Sequence, residues 1–117
     1  MGLEAQLKTI LGGIAGGQVY PDIPPDNKTF PLVIYQQVGG DSIEFLDQTL
    51  PVKENARLQI VAWDKSRLAA SDLARAVRNT LVASNLQVTP LGAPVSLYEE
   101  ELKLYGSRAV FSIWFDP

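Results

Sequence analysis

The chain has no cysteine and no histidine among its 117 residues. The first absence removes disulfides, thiolate nucleophiles and sulfur-ligated metals. The second removes the usual proton shuttle near neutral pH and the commonest zinc ligand. The serines therefore have no imidazole to activate them, and no Ser-x-x-Lys pattern takes its place. Long apolar runs are missing too. No stretch approaches the roughly 18 residues of a membrane span, and no charged-then-apolar leader is present, so the expected location is the cytoplasm. Basic residues are few: 10 Lys and Arg against 13 Asp and Glu, a net charge of −3. They form no cluster, so specific nucleic-acid binding is not expected.

What is present fits one folded domain spanning 1–117. The hydrophobic fraction is 46%, ordinary for a globular chain. The organising stretch is 54–82. Ala56, Leu58, Ile60 and Ala62 alternate with Arg57, Gln59, Val61 and Trp63. A period of two places the two sets on opposite faces of a sheet. The first set is aliphatic and predicts the core face. Asp64 and Ser66 can both cap a helix N-terminus. From Arg67 the period changes, and Leu68, Ala69, Leu73, Ala76, Val77, Thr80 and Leu81 predict the stripe of a helix over 67–82.

Leu3, Leu7, Ile10 and Leu11 predict a second amphipathic helix over 3–11. Gly12-Gly13 would end it and Gly16-Gly17 would turn the chain. No Lys-Ser/Thr follows these glycines, so a phosphate cradle is the weaker reading. Residues 21–31 hold four of the eight prolines and predict a surface loop. Strands are expected near 32–38, 54–63, 97–104 and 108–115, with the last two joined at Gly106-Ser107, and a further short strand is possible at Leu86-Gln87-Val88. Residues 42–52, with Ile43, Phe45 and Leu46 among polar residues, read as a long connection and a candidate contact element. The expected architecture is α+β in two layers: a mainly antiparallel sheet of about four strands with two helices on one face.

Chemistry is hard to find in this pattern. Glu99-Glu100-Glu101 could offer carboxylates to a cation, but neighbours on a strand point to opposite faces, so a solvated edge or hairpin is the better reading. No catalytic residue, cofactor or metal site is expected. The unusual feature is the second sheet face. Val61, Trp63, Val110 and Trp114 fall there, joined by Tyr35 or Ile34 depending on register. Either a loop such as 42–52 folds over this face or a partner subunit covers it. The candidate interface is therefore Val61, Trp63, Val110, Trp114, Tyr35, Phe45 and Leu46.

Several segments, in order, carry a resemblance: Gln-Val-Tyr-Pro-Asp at 18–22, Phe-Pro-Leu-Val-Ile-Tyr at 30–35, Ala-Arg-Leu-Gln-Ile-Val-Ala-Trp at 56–63, and Ala-x-x-Leu-x-x-x-Val-x-x-x-Leu at 70–81. With the closing aromatic strand, the chain resembles the tail-completion proteins of long-tailed phages and prophages, relatives of lambda-type tail terminators. The resemblance implies a ring of this chain, hexameric, on the head-proximal end of the tail tube. Its partners would be itself, the tail tube protein and the head–tail connector. It would be found in the host cytoplasm during assembly and then in the virion tail or neck. The alternatives are a neck or head-closure joining protein at the same place, and a cytoplasmic protein-binding module unrelated to phage.

Overall fold

The computed structural model describes residues 2–41 and 53–116. The 42–52 connection, including Phe45 and Leu46, lies outside the described residues.

Helix α1 covers Leu3–Leu11. Leu3, Leu7 and Leu11 recur every four residues, so one stripe is buried, while Glu4 and Lys8 sit at the ends that the helix dipole favours. The chain then turns through Ile14–Gly17, where Ala15, Gly16 and Gly17 all adopt positive φ. This turn delivers β1, Val19–Pro21. The proline-rich loop follows, then β2 at Leu32–Gln37 and β3 at Glu54–Asp64. Ser66 caps helix α2, Arg67–Ala83, by accepting the Ala69 amide at 3.1 Å. Strands β4 (Gln87–Pro90), β5 (Val95–Glu99) and β6 (Leu104–Phe115) complete the chain.

The class is α+β as expected, but the sheet is larger. It has six strands in the order β1-β2-β3-β6-β4, with β5 also on β6. It is mixed, because β1 runs parallel to β2 while the other pairs are antiparallel. β4 and β5 share one edge of β6. The register of β4 places Pro90 opposite Phe111, and the register of β5 places Val95 opposite Arg108. The Leu91 amide still reaches the Val110 carbonyl at 2.8 Å. Residues 92–94 therefore stand opposite Ala109 alone, a bulge of two extra residues. Gly92, at φ +93°, takes a backbone conformation that side chains disfavour, and Pro90 and Pro94 bracket it.

One expectation about β6 needs correction. Gly106-Ser107 is not the bend of the hairpin; both residues lie inside β6. The turn is made by Glu100–Lys103, with Lys103 at φ +52° and its amide donating to the Glu100 carbonyl at 3.3 Å. The Glu99 carboxylate accepts the Leu102 amide at 2.6 Å and closes the turn. A glycine marks this hairpin only by its absence.

Both helices cover one face of the sheet. Val33, Tyr35, Leu58, Ile60, Phe111 and Ile113 meet Leu3, Leu7, Leu11, Val77 and Leu81 in a single core. Each fully buried Leu or Phe contributes about 1.5–3 kcal/mol. The stripe of α2 is shifted from the expected one. Ala70, Val77 and Leu81 are buried, with Leu73 and Ala74 beside them, whereas Leu68 is 72% exposed and Ala76 faces solvent. Small residues at 70 and 74 let the helix approach the sheet, and proximity rather than side-chain hydrophobicity selects the inward face.

Candidate interaction face

The other face of the sheet carries no described helix. Its membership follows from register, since residues paired across strands share a face. Ile34 lies opposite Val61, Val110 opposite Gln59, and Val61 and Val95 both opposite Arg108. This brings Ile34, Val61 and Val110 together at the centre, with Leu91 and Val95 on the edge. Leu91 is 42% and Val95 47% exposed. Arg57, Gln59, Arg108 and Ser112 are interleaved with these residues, so the face is apolar in patches with hydrogen-bonding groups between them.

The two tryptophans do not join into one patch. Trp63 pairs with Gly106 and Trp114 with Asn55. Gly106 and Trp114 are eight positions apart on β6, roughly 26 Å at the rise of an extended strand. At the Trp63 end the chain covers its own face. Pro24, Lys28 and Phe30 of the proline-rich loop, Leu102 of the turn and Leu104 of β6 surround Leu32, Ile34 and Trp63 in a small apolar pit of about 170 Å³. Cover by a loop is therefore realised there, by 24–30 and 99–104. Trp63 also needs Gly106: a Cβ added there would sit 2.8 Å from Cζ3 of the indole. Gly106→Ala should displace the ring and cost about 1–3 kcal/mol, the usual penalty of overpacking. In a Trp114→Phe background, a red-shifted emission of the remaining tryptophan would report the displacement, and unchanged emission and stability would refute it.

At the other end Trp114 stands beside Asn55 and Gln87. Asn55 is a buried polar residue with its groups satisfied. Its Nδ2 donates to Ser112 Oγ at 2.9 Å, and its Oδ1 accepts the Asp41 amide at 2.8 Å. The chain after β2 thereby docks onto the start of β3. It is extended by Val38 donating to the Arg57 carbonyl and Arg57 to that of Gly39, each at 2.8 Å.

Of the expected interface residues, Val61 and Val110 meet on this face, and Trp63 and Trp114 lie on it at opposite ends. Tyr35 is corrected. It pairs with Ile60 on the helix-covered face and is only 7% exposed; Ile34 takes the place that register left open. Burial, with the Glu4 and Asp22 carboxylates nearby, pushes the Tyr35 hydroxyl above the usual phenolic range. Phe45 and Leu46 are outside the described residues. Leu91 and Val95 belong to the face but were not singled out by sequence. Both lie outside the strand expected over 97–104, and only pairing with β6 places them on this face.

Among the described residues no group of three or more Asp and Glu side chains converges as a metal cage would require, and no buried side-chain polar atom lacks a partner.

The family described as "Tail completion protein gp17" matches residues 3–116. Among solved structures, a chain of the "Virion of native gene transfer agent (GTA) particle" is similar, with a TM-score of 0.58 and 18% identity over 98% of this chain and 87% of that one. At that identity the likeness shows a shared fold. No curated protein matches the chain.

Proposed function

This chain belongs to the tail completion protein gp17 family, whose role is structural in the phage tail, and on that footing we propose that it caps the head-proximal end of the tail tube as a ring. The ring ends tube polymerisation and offers its outer side to the head connector. The observation that carries this is the sheet face of Val61 and Val110, beyond the pit that holds Ile34 and Trp63, continued by exposed Leu91 and Val95 on the edge. Apolar surface of this kind, interleaved with Arg57, Gln59 and Arg108, suits contact with another subunit or with the tube. A net charge of −3 would let a ring line a channel without gripping DNA, since like charges repel the phosphates.

Two measurements test this. Electron microscopy of particles lacking the chain should show tails of excessive and variable length. Tails of normal length that fail to join heads would overturn the terminator reading in favour of a joining protein. Val61→Asp with Val110→Asp should leave the isolated chain folded by circular dichroism and exclude it from particles. Incorporation at the wild-type level would remove this face from the assembly.

A further inference from the structure

The chain carries a second surface feature, on the opposite side of the edge that holds Leu91 and Val95. A cleft of about 490 Å³ runs between α2 and the bulged edge. Ser71, Ala74, Arg75 and Arg78 form its helix wall, Gly92, Ala93 and Pro94 its edge wall, and Ala109 and Phe111 line its base. Its volume is within the range of about 300–1,000 Å³ found for clefts that hold ligands or short segments. The cleft exists because the bulge draws the edge away from the ladder and because Ser71, Ala74 and Ala109 are too small to fill the gap.

Its rim is positive. Arg75 and Arg78 are both exposed. Arg75 has one acidic neighbour, Asp72, at 3.7 Å on the same exposed helix face, a pair of little worth in water. Arg78 forms no ion pair among the described residues. The opposite charge is found elsewhere on the same chain. The turn after β5 presents Glu100 and Glu101, both exposed and without ion pairs among the described residues. Beside them Leu102 edges the pit over Trp63 yet is still 59% exposed, and Lys103 after it leaves the two glutamates in excess at the tip. The turn lies beyond the start of β6 at Leu104, whereas the cleft flanks its middle from Ser107 to Phe111. One subunit therefore carries a negative protrusion and a positive cleft that do not engage each other.

We propose that the cleft between α2 and the bulged edge receives the Glu100–Leu102 turn of a second copy of this chain. Leu102 enters between the small side chains, and Glu100 and Glu101 meet Arg75 and Arg78 at the rim. Two different patches on each subunit make a heterologous contact, which closes into a ring when the rotation between neighbours divides the circle evenly. The inference rests on the ring reading above and adds the contact that builds it.

The absence of native cysteine makes the test direct. Particles carrying Ala93→Cys with Leu102→Cys are oxidised and run on denaturing gels, with each single variant as control. The expected result is a ladder of covalent multimers ending at the ring size, while single variants stop at dimers. A ring visible by electron microscopy but giving no ladder overturns this contact and leaves the ring intact. Particles with no ring of this chain overturn both. In parallel, Arg75→Glu with Arg78→Glu should lower incorporation by about tenfold or more, the effect of losing one well-placed charge pair. Adding Glu100→Arg with Glu101→Arg should restore it. All four positions are exposed, so circular dichroism should show native folding throughout. Undiminished incorporation of the reversed arginine variant, or no recovery on the double reversal of a folded chain, would refute the pairing.

Discussion

Phe111→Ala should destabilise the isolated chain by about 3–5 kcal/mol, the cost of a large cavity in a core. Phe111 is 1% exposed, sits at the middle of β6 opposite Leu58 and Pro90, and belongs to the one core that joins both helices to the sheet. Domains of this size are stable by only about 5–15 kcal/mol, so the variant should be largely unfolded at moderate urea concentrations where the parent is native. The informative comparison is its neighbour. Val110 points to the other face and is only half-buried. Val110→Ser should therefore shift the urea midpoint by no more than about 1 kcal/mol equivalent while impairing assembly. Comparable losses at the two positions would mean that both faces are sealed within one subunit, and the proposed contact surface would have to be abandoned.

Arg67→Ala should cost about 2–4 kcal/mol, the largest effect expected from any exposed or half-buried polar residue. Its guanidinium donates through Nη1 to the Gly106 carbonyl at 2.7 Å and through Nη2 to the Leu97 carbonyl at 2.6 Å. The same group lies 5.2 Å above the Tyr105 ring, which in turn stands 5.0 Å from Tyr98. One side chain at the first turn of α2 thus ties both strands of the β5–β6 hairpin to the helix. Charge-assisted bonds are worth more than neutral ones, and the planar fork spans two carbonyls that an ammonium cannot reach together. Arg67→Lys should therefore recover less than half of the loss. Thermal unfolding gives the magnitudes, and hydrogen exchange at residues 95–99 and 104–108 should rise selectively. Full recovery with lysine would show that only the charge matters and that the fork does not.

Much of the framework was legible because it depends on period alone. Alternation at 56–63 and 108–115 and the three-to-four spacing in both helices identify elements without any knowledge of their partners. What failed depended on long-range pairing. Val19–Pro21 is too short to announce itself as a strand, and it forms one only because β2 lies alongside. Gly106-Ser107 looked like a bend because glycine usually marks turns; here glycine is required beneath Trp63, and Lys103 takes the positive φ. The candidate face divides the same way. Parity correctly placed Trp63 and Trp114 on one side, but parity contains no distance, and the register sets them at opposite ends. Tyr35 was undecidable without knowing which residue of β3 it meets.

The two supernumerary residues at 92–94 set a rule for how the gene can change. An even surplus leaves Leu91 and Val95 turned the same way, so the sides of the sheet stay in phase across the interruption. Gain or loss of a pair there would be absorbed as a larger or smaller loop. Gain or loss of one is absorbed in the same way, because pairing with β6 holds Val95 opposite Arg108 whatever the length between them, so related chains should vary in length here while β4 and β5 keep their partners.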